Sequence, residues 1–189
     1  HLMLGDVDFS EISFKNSEIK NLIALDSKAV NYVFDGLSLT LVQFTGSNLQ
    51  GASFVGCDLT QAMFKSCDLR GADFRGANLS TAMLLDIDGQ SADFSNSNLI
   101  YANFMGSCCD NARFTGAYME FTQLTKASLC NCNFKNTNLT LADFSYSNIS
   151  DSDFSGAVTT RTKLHATVDF NTNIKHKFGV IKSDEELLK

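Results

Sequence analysis

Proline and tryptophan are missing from this 189-residue chain, and histidine occurs only three times. No apolar run approaches the roughly twenty residues that a membrane-spanning helix requires, so no membrane span is expected. Nothing near the start resembles a signal peptide. The G-x-S-x-G elbow, the H-E-x-x-H helix, the Walker A loop and the dinucleotide fingerprint are all absent. His1 stands at the terminus, and His165 and His176 come late, so the body of the chain offers no imidazole for acid–base work or metal ligation. Asp86-Ile87-Asp88-Gly89 has the opening of a calcium loop without its remaining ligands. Fifteen Lys and Arg face 21 Asp and Glu, and the net charge of −6 argues against nonspecific binding to phosphate backbones. No catalytic residue, metal ligand or cofactor is expected, and no nucleic-acid partner.

What the chain does have is a period. From Phe9 to Leu164 every fifth position lies in one frame, and 27 of those 32 positions are Phe, Leu, Ile or Met. The exceptions are Ala24, Ala29, Gly89, Cys109 and Thr159. Neither a helix nor a flat strand produces an apolar period of five, and a fixed repeat outranks local propensity. Two residues before each centre, from Ser47 to Thr162, stands Ala, Ser, Cys or Thr at every repeat except Ile87. The residue just before the centre is often Asp or Asn, as at Asp58, Asp68, Asp73, Asn78, Asp93, Asn98 and Asn103. These point outward, where their side chains can bond backbone groups of the turn.

Reading by twenties sharpens the pattern. Phe14, Phe34, Phe54, Phe74, Phe94, Phe114, Phe134 and Phe154 form one column, and Ile19, Leu39, Leu59, Leu79, Leu99, Met119 and Leu139 another. The period is therefore twenty residues and not merely five. Two residues beyond the Phe column stand only Gly or Asn, which accept the positive φ of a type II turn. Beyond the aliphatic column the same corner reads Asn21, Leu41, Gln61, Thr81, Tyr101, Phe121, Leu141 and Arg161, so a different turn is expected there. Gly89 and Cys109 are successive in one column, and Ile87 is expected to swing inward to fill the space.

The segments A-D-F-R-G (72–76), A-N-L-S-T (77–81), A-D-F-S-N (92–96) and A-D-F-S-Y (142–146) resemble the pentapeptide-repeat proteins over about four-fifths of the chain. The resemblance implies an all-β fold, a right-handed quadrilateral parallel β-helix of about eight coils. We expect that β-helix over 1–166 and a C-terminal tail over 167–189, where the frame falters at Phe170 and Ser183 with Glu186 starts a short helix. His1-Leu2-Met3 reads as the remnant of an expression tag, and both ends look trimmed from a longer polypeptide. Cys57, Cys67 and Cys132 fall on the small inward position and Cys109 on a centre, where a thiol serves as a small hydrophobe. Cys108 and Cys130 face outward without aligning. A reduced, cytoplasmic setting follows.

For function, the sequence offers an apolar edge. Met83, Leu85 and Met105 lie beside the third column of centres, Tyr101 and Phe121 share the glycine-free corner, and Tyr118 stands on the adjoining side. Contiguous exposed apolar groups mark contact surfaces, so these six are the candidate binding residues and a protein is the expected partner. Long, cysteine-tolerant repeats of this kind also resemble those of secreted bacterial effectors, including ligases that carry a β-helix ahead of a HECT-like catalytic part. That resemblance implies a non-catalytic targeting module delivered into a host cell. The alternative is a DNA-mimicking gyrase-binding protein, as in family members that protect gyrase from quinolones, resting on Asp58, Asp68, Asp73, Asp88, Asp93, Asp143 and Asp153.

Overall fold

From Ile23 onward, each residue that precedes a centre is bridged in parallel to its counterpart twenty residues later, up to Asn148 with Val168. The structure, a computed structural model, describes residues 2–14, 19 and 21–174. Its two named strands, β1 (Leu2–Gly5) and β2 (Leu22–Leu25), pair in the same register, Leu2 with Leu22 through Gly5 with Leu25. A single 3-10 turn, Phe9–Glu11, follows β1 and is capped by Asp8, which accepts from the Ser10 N–H at 3.0 Å. The rest is one winding chain that turns every five residues, giving the four-sided coil that the twenty-residue period demands.

The backbone of one repeat shows why five residues suffice. Around Leu59, the N–H of Asp58 donates to Leu37 O on the coil before, and the N–H of Leu59 to Asn78 O on the coil after. The corner residue Gln61 donates to Ser80 O, and Ala62 closes the turn by donating to Leu59 O at 2.9 Å. Only the N–H of Thr60 lacks a backbone acceptor in this pattern, and the Asp58 carboxylate takes it at 3.1 Å. The same bond recurs from Arg70 to Asp68, Arg75 to Asp73, Ser95 to Asp93, Ile100 to Asn98 and Ser155 to Asp153. A polar group left unpaired beside the core costs free energy, so Asp or Asn before the centre completes each repeat. On the inward face, small polar residues brace the neighbouring coil. Thr122 Oγ1 donates to Leu99 O and Thr162 Oγ1 to Leu139 O, each at 2.9 Å.

The core is a set of columns. Phe34, Phe54, Phe74, Phe94, Phe114 and Phe134 are completely buried, with Phe14 and Phe154 nearly so at the ends. Consecutive rings from Phe34 to Phe154 lie 4.7–5.2 Å apart and within 10° of parallel, so the ring spacing is that of the strands themselves. Phe64 and Phe104 meet this stack edge-on, at 82–86° to Phe54, Phe74 and Phe94. Where Gly89 interrupts its column, Ile87 is 2% exposed, and its Cδ1 would lie 3.2 Å from a Cβ placed on Gly89. The inward swing of Ile87 is thus observed.

Three expectations need correction or extension. The glycine-free corner does not turn differently: Leu41, Gln61, Thr81, Tyr101, Phe121, Leu141 and Arg161 have φ of 57–61°, in line with every corner from Asn21 to Asn171. The reason is cooperative. Tyr101 N–H is held by Glu120 O at 3.0 Å and Ala102 N–H by Leu99 O at 2.9 Å, so two backbone bonds override the residue's own preference. Leu2 and Met3 form part of β1, and Leu4, on the five-residue frame, packs against the core and pairs with Ala24. The coil also continues past residue 166. Asp151 donates to Phe170 O, Asn173 Oδ1 accepts from Phe154 N–H, and Ile174 is buried on its centre position. The expected helix near Ser183 lies outside the described residues.

The stack makes Phe94→Ala costly, about 3–5 kcal/mol in denaturant unfolding, because the cavity touches rings on both neighbouring coils. The corners predict the opposite sign. Thr81→Gly should gain about 0.5–1 kcal/mol, removing a left-handed cost of about 1–2 kcal/mol against about 0.5–1 kcal/mol of glycine chain entropy.

A pH dependence follows from the capping carboxylates. A hydrogen bond from the Ser155 hydroxyl, then those from Asn173 and the Ser155 N–H, hold Asp153 far below the ordinary carboxylate range. Arg70 lowers Asp68, and Asp8 falls from 3.8 to about 2 through the Ser10 N–H and Lys28. For Asp73 and Asp143 burial opposes ionisation, and bonds from Arg75 and Ser145 outweigh it. Folded values below the unfolded ones mean that the unfolded chain binds more protons as pH falls. The contribution is complete above the unfolded value near 3.8 and is lost as pH falls through the folded values, Asp8 at about 2 among them. Urea midpoints measured against pH should be flat near neutrality and drop below about pH 4. Asp153→Asn, which keeps the acceptor for Ser155 N–H, should shallow that drop.

Candidate functional site

The twenty-residue register places Tyr101 and Phe121 on one corner, one coil apart. Their rings stack at 4.7 Å and 13°, yet both remain exposed, at 57% and 38%. Leu41 is exposed on the same corner and Leu141 half-buried. Met83 follows this corner by two positions and is bridged to Met63 below and Asn103 above. Leu85 and Met105 stand on the same side two residues further along; Met105 is exposed, while Met83 and Leu85 are half-buried. Tyr118 is 55% exposed but occupies the preceding side, bridged between Asn98 and Asn138. The corner, the side after it and the side before it therefore carry all six candidate residues. Because every corner has the same backbone, the aromatic choice at this one is a property of side chains alone.

Sequence reasoning missed Glu120, which lies between Tyr118 and Phe121. Its Oε1 accepts from Asn138 Nδ2 at 2.6 Å, while its Oε2 is shielded from solvent and meets no donor among the described residues. A lone outward Glu in a repeat with no fixed residue at that position carries no sequence signal.

The acidic columns are not a bare negative field. Asp68 pairs with Arg70 at 2.5 Å and Asp73 with Arg75 at 2.6 Å, and Asp88 lies 3.6 Å from Arg70. Lys135 approaches Asp153 at 3.1 Å, Lys163 approaches Asp143 at 3.4 Å, and Arg113 lies 3.9 Å from Asp93. Asp58 bonds its own turn and Asn78 Nδ2. Such exposed pairs add little stability, but they compensate the charge locally.

The thiols have a structural task. Cys57 Sγ donates to Phe34 O and Cys67 Sγ to Phe44 O, both at 2.9 Å, and Cys132 Sγ to Cys109 O at 3.0 Å. They thus act as the equivalent Thr and Ser do, besides filling space. Burial pushes the Cys57 thiol up to about 11 and Cys67 up to about 12, and raises Cys109 and Cys132 well above the ordinary range. A nucleophile must be a thiolate, so these four are inert at neutral pH. Cys108 and Cys130 are half-buried and unpaired by any disulfide. No helix among the described residues is long and apolar enough to cross a membrane.

Comparison with known proteins agrees with this architecture. The sequence model for pentapeptide repeats matches eight copies, over residues 43–80, 72–108, 90–129 and 122–158. No curated protein sequence matches the chain. Among solved structures, full-length QnrB1, a plasmid-mediated fluoroquinolone resistance protein, is similar at 22% identity with a TM-score of 0.60, over 93% of this chain and 92% of its own. HetL, a pentapeptide-repeat protein involved in regulating heterocyst differentiation in the cyanobacterium Nostoc, aligns at 18% identity over 91% of this chain and 84% of its own, with a TM-score of 0.38. With the family model covering more than half of its length on an unbroken twenty-residue register, the chain belongs to the pentapeptide-repeat family and is a right-handed β-helix.

Proposed function

We propose that this chain is a non-catalytic protein-interaction module whose contact surface is the edge formed by Met83, Leu85, Tyr101, Met105, Tyr118 and Phe121. The observation that carries the reading is the exposed Tyr101–Phe121 stack. The backbone of that corner would be better served by the Gly or Asn found after the Phe column, and two solvent-facing rings there are not required by the fold. Tyr and Phe serve as anchors in protein interfaces, and Met supplies an adaptable surround. The reading is independent of whether the chain works alone or as the β-helix of a larger effector. In the second case the catalytic cysteine of a HECT-like part lies elsewhere, since the four buried thiols here are protonated and hydrogen-bonded or enclosed.

Gyrase binding is the second reading. Support for it comes from the likeness to the fold of QnrB1 and the acidic balance of −6; the pairing of the Asp columns with Arg and Lys weighs against a DNA-like charge pattern. A supercoiling assay with gyrase and a fluoroquinolone separates the two. The interaction-edge reading expects no change in supercoiling or in drug sensitivity at stoichiometric protein, and protection favours the second reading.

Proximity labelling in cells tests the edge directly. Tyr101→Ala combined with Phe121→Ala should lose the labelled partners of the unaltered protein while changing unfolding free energy by no more than about 0.5 kcal/mol, as for surface substitutions. Retention of every partner, or unfolding like a core variant, overturns the assignment.

A further inference from the structure

We propose that the partner is a second copy of this chain, docked antiparallel across the side that carries Met83, Leu85 and Met105; this rests on the reading of the edge as a protein contact. That side runs between two corners. One carries the exposed Tyr101 and Phe121 rings. The other reads Ser66, Asp86, Gly106, Lys126 and Tyr146 at steps of twenty, each at positive φ. Asp86 and Lys126 are exposed, opposite in charge, and stand one coil to either side of Gly106. Neither has an ion-pair partner among the described residues. The apolar side is thus bordered by aromatic rings along one corner and by a separated acid and base along the other.

This arrangement complements itself. A two-fold axis laid across the side at Met105 and Gly106 reverses the order of the coils, so the residue one coil before Gly106 meets the residue one coil after it in the second copy. Asp86 then faces Lys126 of the second copy, and symmetry forms the pair twice. Tyr101 and Phe121 of both copies come together along the first corner, and Met105 meets its own counterpart. Lys65 comes opposite Ser145 and Lys163 opposite Gln43, so no like charges are set against each other. A parallel arrangement would instead lay the charged corner against the aromatic one. A slide by one coil, about 4.8 Å, separates both charge pairs. The antiparallel register centred on Met105 therefore joins rings and charges at once, with apolar groups inside the contact and charges fixing its register.

Sedimentation velocity of the full chain over a range of concentrations should show a reversible dimer. Asp86→Lys and Lys126→Glu, each alone, set like charges against each other across the axis and should weaken dimerisation about tenfold or more. Mixing the two variants should restore pairing, as a heterodimer in which both contacts are again between opposite charges. The corner already holds Asp86 at φ 55° and Lys126 at φ 61°, so either exchange suits the backbone and melting curves should not change. Tyr101→Ala with Phe121→Ala should be monomeric. A chain that is monomeric at every concentration, a dimer indifferent to either charge reversal, or variants that fail to pair when mixed overturns the inference. Partner labelling lost in the Tyr101→Ala, Phe121→Ala variant, with the unaltered chain monomeric, would sink the second copy and leave the edge as the contact for a different protein. Labelling insensitive to that variant, again with no dimer, would sink the edge itself.

Discussion

Every corner of this β-helix holds its residue at positive φ, and the remainder of the structure depends on that constraint. Thirty-one consecutive corners from Asn21 to Asn171 obey it, although only nine are glycine. The left-handed residue lets five residues complete one side, so that the next centre points inward again. At most corners two backbone bonds maintain it, one across the corner and one to the following coil, and at Asp26 and Asn131 a serine Oγ of the next coil takes the place of the first. A leucine, a threonine or a phenylalanine can therefore occupy a position that in an isolated turn it would avoid.

From the corners follow the stacked coils, and from the stacked coils follow both the core and the surface. Residues twenty apart superpose, so identical side chains pile into columns, and the phenylalanine rings take the strand spacing as their own. The same superposition brings Tyr101 over Phe121 on the outside. A filled interior makes the sides into fixed surfaces. The character of those surfaces is set by which side chains occupy the outward columns.

The polar residues illustrate how one pattern serves two ends. Asp and Asn before the centres satisfy the single backbone N–H that the coil leaves over, which accounts for much of the acidic content without a binding role. Most Ser, Thr and Cys on the inward face donate to the carbonyl of the preceding coil's centre, while Ser97 and Ser147 donate to that of their own turn, so a thiol stands in for a hydroxyl. Asp35 and Asp110, just after their centres, instead accept the N–H of Val55 and Cys130 on the following coil, whereas Glu120 at the same position meets only Asn138 Nδ2.

The sequence by itself determined the coil. An apolar residue every fifth position, with like types every twentieth, together with the likeness of its segments to pentapeptide repeats, pointed to a four-sided coil, and from it Phe94 in the core, Ile87 turned inward beside Gly89, and Tyr101 one coil from Phe121 on the same corner could all be read. Only the tertiary structure decided what depends on hydrogen bonds between coils. Thr81 and Tyr101 adopt the same corner as Gly76 because the neighbouring coil holds their N–H groups, a partner that local propensity does not contain. Asp169 on a centre position does not end the coil, since the N–H groups of Ile149 and Asp151 still donate to Val168 O and Phe170 O. Cys67 reads as a small hydrophobe until Phe44 O is seen within reach of its thiol. The bond from Asn138 to Glu120 likewise emerges only when the following coil is in place, because whether a charged group finds a partner is a matter of distance in space and not of position in the chain.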